Sequence, residues 1–156
     1  MGLNRAMIGR SVKSTEVYEL TADRLRDAVQ QFEEPLPAYT DLAAAHALGH
    51  PDLIAPPAFA ARLWFRMVWA WPMCDPELGR DGGANLLLAD LHTVQHRPIR
   101  VGDRLTLNST LADIREIRGE REIISIHNEI ATEDGEPVCT TGYKFVIAIA
   151  DTHGEN

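Results

Sequence analysis

The chain has 156 residues, of which 45% are apolar, so it is long enough for one domain with a sizeable core and too short for two ordinary domains. Its formal net charge is −8 and no run of Lys or Arg breaks the acidic pattern, which argues against a surface that follows nucleic acid phosphates. The longest apolar runs fall short of the roughly 20 residues of a membrane helix, and the first ten residues lack the apolar core of a signal peptide. The sequence therefore predicts one domain over residues 1–156, soluble and cytoplasmic, with neither nucleic acid nor a membrane as partner.

The first third of the chain is predicted to contain a short strand and two helices. Residues 17–20 have strand character, and the spacing of apolar residues predicts an amphipathic helix over 22–32. Pro35 and Pro37 end that helix, because each lacks an amide hydrogen and disfavours helical geometry in the residue before it. A short Ala-rich helix over 41–49 follows.

The most apolar predicted helix covers residues 58–71. Pro56 and Pro57 fit its first turn, where a missing amide costs little. Arg62 and Arg66 are its only charged residues, so nearly every face is apolar. We expect this helix to be almost wholly enclosed by the rest of the protein.

The second half of the chain is predicted to contain strands only. Gly119 and the pair Asp134-Gly135 mark hairpin turns. Four segments have strand character: 84–96, 104–116, 120–133 and 137–150. The economical assembly is an α+β fold in which a twisted antiparallel sheet wraps around one long buried central helix.

Cysteine and histidine spacing does not indicate a metal site. Cys74 and Cys139 lie far apart, which predicts free thiols in a reducing compartment. For Cys74, burial as a small apolar residue is favoured over a role as a nucleophile. His92 and His96 share one face of a predicted strand, but no third ligand stands at a telling spacing, so a half-exposed sheet face is favoured over a metal pair.

Two segments resemble those of a known family, the MaoC-like (R)-specific hydratases and dehydratases. Residues 34–59 keep the frame of that family's substrate loop, in which Asp-x-Asn-Pro-x-His precedes a small-residue helix and an Ala-His-Gly turn. Residues 96–105, His-Arg-Pro-Ile-Arg-Val-Gly-Asp-Arg-Leu, resemble the family's Arg-Pro-Val-x-x-Gly-Asp-x-Leu signature. The segments 37–41 and 54–57 are most similar to those of the actinobacterial N-terminal, fatty-acid-synthase-like dehydratase subunit. The resemblance covers residues 8–150 and implies the hot-dog fold.

The reactive positions of that family are largely replaced in this chain. By alignment on Ala55, the family's catalytic Asp falls on Glu34, its His on Tyr39, and the Gly of the turn on Pro57. Tyrosine has a reference pKa of about 10 and is a poor base at neutral pH, and proline offers no amide. Glu34 and Tyr39 are therefore the catalytic candidates by position, although a solvated carboxylate is the favoured interpretation of Glu34.

Four further residues are candidates for binding substrate. The amides of Ala58 and Phe59 remain at the start of the apolar helix, where they are suited to a thioester carbonyl that gains negative charge. Asp90 and His92 lie on the strand that leads to residues 96–105, and inward side chains there would face an acyl tunnel. An exposed position on the sheet is the favoured alternative for both.

The resemblance implies a (3R)-hydroxyacyl-thioester dehydratase or enoyl hydratase subunit of fatty-acid or polyketide metabolism. Such a subunit binds the acyl chain of an acyl-CoA or acyl carrier protein thioester, uses no cofactor, and relies on a second MaoC-like subunit for the Asp and His. Two alternatives stay open: a self-sufficient hot-dog thioesterase or pathway-specific dehydratase, and a non-enzymatic dimer that binds an acyl ligand. A homodimer or a heterodimer is expected, because a lone hot-dog domain leaves a sheet edge and one side of its helix uncovered.

Overall fold

A computed structural model describes residues 2–31, 36–80 and 85–148. Three α-helices lie in the first half of the chain: α1 (Ala22–Val29), α2 (Leu42–Ala47) and α3 (Phe59–Met67). The strands are β1 (Ser11–Lys13), β2 (Tyr18–Glu19), β3 (Leu86–Gln95), β4 (Arg104–Ile117), β5 (Arg121–Thr132) and β6 (Pro137–Ala148). Single 3-10 turns occupy Arg5–Met7, Pro37–Tyr39 and Pro76–Leu78.

The six strands form one antiparallel sheet in the order β1-β4-β5-β6-β3, and β2 pairs with the start of β4. Gly119, with φ 78°, turns the chain between β4 and β5, and Gly135, with φ 93°, turns it between β5 and β6. Glycine adopts this left-handed region without the steric cost that a Cβ brings. The four strands and both turns that the sequence predicts are therefore confirmed.

Helix α3 packs against the inner face of the sheet. The ring of Trp64 lies 4.6 Å from that of Tyr143 and 5.7 Å from that of Phe145, measured between centroids. The Tyr143 hydroxyl donates a hydrogen bond to the carbonyl of Ala61 in α3. Because these aromatic residues of β6 alternate with outward-facing neighbours, the helix covers one face of the sheet only. The predicted sheet wrapped around a central helix is confirmed.

The central helix is shorter and less enclosed than the sequence predicts. It ends at Met67 rather than at residue 71, and Trp69 and Ala70 have positive φ angles of 51° and 54°. A left-handed conformation costs roughly 1–2 kcal/mol for a residue with a Cβ, so these two residues break the helix at an energetic cost. Phe65 is 54% exposed and Trp69 is 78% exposed. The expectation that the helix is almost wholly enclosed is therefore wrong, because Phe65 of the helix and Trp69 just beyond its end are exposed.

Within the described ranges, no helix is long and apolar enough to cross a membrane.

The segment between β3 and β4 is held by a buried ion pair. Two guanidinium nitrogens of Arg97 donate to the two carboxylate oxygens of Asp103 at 2.9 Å each, and the third donates to Glu136 at 2.8 Å. Asp103 also accepts the amide of Arg100 at 2.8 Å, as expected for a turn carboxylate. The Asp103 carboxylate raises the pKa of Arg97. This ion pair gives residues 96–105 a structural role that sequence spacing alone does not reveal.

A second buried carboxylate, Glu122 of β5, holds the N-terminal segment on the sheet. It accepts the amide of Leu3 at 2.7 Å and forms an ion pair with Arg5, whose guanidinium nitrogen lies 2.8 Å from a carboxylate oxygen. The Glu122 side chain is 2% exposed. A carboxylate this deeply buried requires partners of this kind, because its desolvation is otherwise uncompensated.

Glu122→Gln is expected to lower the free energy of unfolding by about 2 kcal/mol, because a neutral amide replaces the carboxylate that accepts the Leu3 amide and pairs with Arg5. Urea unfolding followed by circular dichroism measures this loss. Glu116 lies opposite Glu122 in the β4–β5 register and is exposed, so Glu116→Gln is the matched control. The control is expected to change stability by less than about 0.5 kcal/mol. Equal effects of the two substitutions would contradict the assigned role of Glu122.

The two cysteines differ in exposure. Both are free thiols, but Cys74 is exposed on the loop after α3, so its expected burial is wrong, whereas Cys139 is buried in the sheet. Burial raises the pKa of Cys139 from 9.0 to about 11. We expect a thiol reagent at pH 8 to label Cys74 at least about a hundredfold faster than Cys139, because only a small fraction of the buried thiol is ionised and accessible.

The same raised pKa predicts a pH dependence of stability. The unfolded thiol loses its proton near pH 9.0 and the folded thiol near pH 11. The folded state therefore binds more protons between these values, and the contribution of Cys139 to the free energy of unfolding falls as the pH rises through this window. Cys139→Val is expected to reduce that slope in urea titrations. An unchanged slope would mean that the burial of this thiol is not linked to folding.

Candidate functional site

A cavity of about 990 Å³ opens beside α3, between α1 and the β3–β6 side of the sheet. One part of its wall is apolar and is formed by α3 and the inner face of the sheet. The apolar lining includes Phe59, Leu63, Phe65, Leu88, Leu91 and Phe145. This volume is at the upper end of the range for small-ligand pockets, and such a wall suits a flexible hydrocarbon chain.

Another part of the cavity wall is charged. Arg24 of α1 and Arg62 and Arg66 of α3 line it, together with the carboxylates of Glu16 and Asp27. Among the described residues of the lining there is no histidine. The described wall therefore supplies apolar surface, three guanidinium groups and two carboxylates, but no imidazole for proton transfer.

The two catalytic candidates differ in what the structure shows of them. Glu34 lies outside the described residues. Tyr39 is buried in a small apolar cluster with Ala38, Ala45 and Ile54. It does not belong to the lining of the cavity. The structure thus does not bring the Tyr39 side chain to the cavity wall.

One of the two amides predicted as donors at the start of α3 is already used. The amide of Phe59 donates to the carbonyl of Pro56 at 2.9 Å, so it is already used. The amide of Ala58 has no acceptor within the described part of the chain. Pro57 has no amide hydrogen. Of the two predicted donors for a thioester carbonyl, only Ala58 is available, while Phe59 contributes its ring to the cavity.

Asp90 and His92 lie on the outer face of the sheet, away from the cavity. A bulge shifts the register of β3 between Leu88 and Asp90, so that Leu88 and then Leu91 face inward. His92 lies opposite Gly142, and a Cβ built on that glycine would be 2.1 Å from the His92 ring. Both predicted substrate ligands are half-exposed. We therefore assign them to the outer surface rather than to an acyl tunnel.

Sequence reasoning missed the contribution of Tyr18 and Tyr143 to the cavity wall. Tyr18 packs against Phe59 with ring centroids 6.2 Å apart. Burial raises the pKa of the Tyr143 hydroxyl, which stays protonated and donates to Ala61. The alternating pattern of β6 identifies Tyr143 as inward-facing, but no sequence signal brings Tyr18 next to α3.

Comparison with known proteins decides the family. Residues 6–141 match the family described as the FAS1-like dehydratase domain region. The chain belongs to this family. A UPF0336 protein of Streptomyces coelicolor is 38% identical over 151 residues, which cover 97% of this chain and 99% of the relative. The predicted membership of the MaoC-like dehydratase family is confirmed.

Two solved structures show the same fold as this FAS1-like dehydratase chain. A MaoC-like dehydratase superposes with a TM-score of 0.80 at 27% identity, over 94% of this chain and 44% of that chain. A (3R)-hydroxyacyl-ACP dehydratase complex of Mycobacterium tuberculosis, HadBC, superposes with a TM-score of 0.75 at 21% identity, over 91% of this chain and 97% of the matched chain. At 21% identity, the likeness to HadBC shows the fold alone. The predicted hot-dog fold is confirmed.

Proposed function

We propose that this chain is the acyl-chain-binding subunit of a two-subunit (3R)-hydroxyacyl-thioester dehydratase or enoyl-thioester hydratase. The observation that carries the proposal is the cavity beside α3. Its described wall has a large apolar part, which suits an acyl chain, and contains no histidine. The family match supports a role in dehydratase chemistry. The acyl chain of a CoA or carrier-protein thioester would lie along Leu88, Leu91 and Phe145.

The chemistry of the reaction supports this division of roles. Loss of water from a 3-hydroxyacyl thioester needs a base at the α-carbon, an acid at the leaving hydroxyl, and donors at the thioester carbonyl. Tyr39 is buried outside the cavity lining, and of the two predicted amide donors at the start of α3 only Ala58 is unused. We therefore assign the binding of the acyl chain to this subunit and the proton transfers to a second MaoC-like subunit that carries Asp and His.

An exposed apolar surface supports the presence of that second subunit. Strand β3 lies at the edge of the sheet, where unpaired backbone groups favour the addition of another strand. Large exposed hydrophobic side chains extend from this strand to α3 and the residues after it. We call those on the cavity side of the sheet the β3/α3 surface: Phe65, Trp69, Leu86, Leu88 and Leu91.

The β3/α3 surface adjoins the cavity, since Phe65, Trp69, Leu88 and Leu91 belong to both. A subunit that covers this surface would also close the open side of the cavity and exclude water from it. HadBC, which shares the fold, is a complex. We propose a heterodimer with a catalytic hot-dog subunit at this surface, and a homodimer is the alternative that purification of the chain alone would reveal.

Hydration of trans-2-butenoyl-CoA tests the proposed function. The loss of enoyl absorbance is followed with this chain alone, with a MaoC-like subunit of the same organism alone, and with the two co-expressed. We expect no turnover by this chain and at least about tenfold more turnover by the pair than by the partner alone. Turnover by this chain alone would support a self-sufficient enzyme. Absence of any stimulation would contradict the subunit role.

A further inference from the structure

We propose that Arg24 and Arg66 bind the phosphate of a 4′-phosphopantetheine arm at the charged side of the cavity. This arm is common to CoA and to acyl carrier protein. The inference rests on the proposed function, because it assumes that the cavity receives an acyl thioester. It adds a specific anion-binding role for two residues that come from different helices.

The two guanidinium groups are gathered around one aromatic ring. The Arg24 guanidinium carbon lies 5.0 Å from the centroid of the Tyr18 ring, and that of Arg66 lies 5.7 Å from it. Tyr18 is itself packed against Phe59 at the start of α3. Cation–π contacts hold both cations close to the same point although α1 and α3 are separate elements. Arg62 lies one turn before Arg66 on α3 and lines the same side of the cavity.

In the part of the chain that the structure describes, Arg24 and Arg66 lack the carboxylate partners that several other arginines have. Within the described ranges, Arg10, Arg26 and Arg104 each form an ion pair with an acidic residue. No described carboxylate lies within the 4.0 Å limit of an ion pair with Arg24 or Arg66. The protein carries a net charge of −8, so acidic residues are abundant. Among the described lining residues, three guanidinium groups outnumber the two carboxylates of Glu16 and Asp27, and this excess positive charge suits an anion from outside the chain.

A phosphate ester matches this pair of donors. A guanidinium group has five N–H donors, and Arg24 uses one of its nitrogens to donate to the Glu19 carbonyl at 2.6 Å. The remaining donors suit the two-point geometry in which arginine binds phosphate. The same cavity continues into the apolar wall at Leu88 and Leu91, which would take the acyl chain. A ligand with an anionic group and a hydrocarbon chain at separate points fits both halves of the wall.

Binding of saturated thioesters, which cannot be hydrated, tests the inference. Isothermal titration calorimetry of the full-length protein compares hexanoyl-pantetheine, hexanoyl-4′-phosphopantetheine, hexanoyl-CoA and hexanoyl-acyl carrier protein. We expect the phosphate to strengthen binding at least about tenfold over hexanoyl-pantetheine, since hydrogen bonds to a charged group are the stronger kind. The double substitution Arg24→Gln and Arg66→Gln should remove this gain and change hexanoyl-pantetheine binding less than about twofold.

The matched control is the double substitution Arg115→Gln and Arg118→Gln, which removes the same charge at exposed positions outside the cavity lining. A gain from phosphate that is lost equally in the control would reflect net charge and would overturn the inference. A wild-type protein that binds the pantetheine and phosphopantetheine thioesters equally would overturn it without any variant. A loss of affinity for hexanoyl-CoA or for the carrier-protein thioester in the Arg24→Gln and Arg66→Gln variant, and not in the control, would support it and identify the source of the arm.

The outcomes separate this inference from the proposed function. If hexanoyl-pantetheine binds and the phosphate adds nothing, the anion site is wrong and the acyl-binding role stands. If no thioester binds to the chain or to its complex, both fail together. If the Arg24 and Arg66 substitutions weaken subunit association and leave ligand affinity unchanged, the two arginines face the partner subunit and the inference is overturned.

Discussion

Leu91→Asp is expected to weaken association with the catalytic subunit at least about a hundredfold and to reduce turnover by the pair accordingly. Leu91 lies at the centre of the β3/α3 surface and is 43% exposed in the isolated chain. A partner that covers it would bury a carboxylate without a counter-charge, which costs several kcal/mol. A hundredfold loss corresponds to about 3 kcal/mol, which is within that range. Analytical ultracentrifugation of the mixed subunits measures the change.

Leu48→Asp provides the matched control for this experiment. Leu48 follows α2, is 61% exposed and lies outside the β3/α3 surface. Both substitutions are expected to leave the isolated chain folded, because an exposed side chain contributes little to stability. Wild-type affinity in Leu91→Asp, or an equal loss in both variants, would mean that the partner does not use this surface.

Asp103→Ala is expected to lower the free energy of unfolding by about 3–5 kcal/mol, the cost of removing one partner from a buried ion pair. Asp103 is 6% exposed and accepts two guanidinium hydrogen bonds and one amide. Its loss would leave the Arg97 charge facing only Glu136 and would release the turn before β4. Urea unfolding of the isolated chain gives the magnitude.

The control for Asp103 is Asp113→Ala, which removes an exposed carboxylate from the same strand, β4. We expect a change of less than about 0.5 kcal/mol for this variant. The double variant with Arg97→Ala should be less destabilised than the sum of the two single variants, because the two residues share one interaction. Additive effects would indicate that Arg97 and Asp103 stabilise the fold independently.

Local sequence patterns were sufficient to predict the sheet. Strand β5 alternates buried isoleucines such as Ile124 and Ile126 with exposed residues such as His127, and this period of two is characteristic of a half-buried strand. Gly119 and Gly135 mark the two hairpin turns, and a tight turn is recognised from its own few residues without knowledge of distant contacts. The end of α3 could not be predicted in this way, because Trp69 and Ala70 continue the apolar pattern while their backbone leaves the helix.

The candidate site was less predictable because it depends on register and on distant contacts. Strict alternation from Leu88 would place Asp90 and His92 inward, and the bulge before Asp90 reverses their direction. Arg24 and Arg66 are far apart in sequence and meet only around Tyr18. Neither a one-residue bulge nor a meeting of two helices leaves a periodic signal in the sequence.

The most direct test of the division of roles compares substitutions in the two subunits of the active pair. One complex carries Glu34→Gln and Tyr39→Phe in this chain, and the other carries Ala in place of the catalytic His of the partner subunit. Turnover of trans-2-butenoyl-CoA by the first complex is expected to stay within about threefold of wild type, whereas the second should lose about a thousandfold, in line with the loss of a general acid–base. Loss of turnover in the first complex, with the second still active, would contradict the account and assign catalysis to this chain.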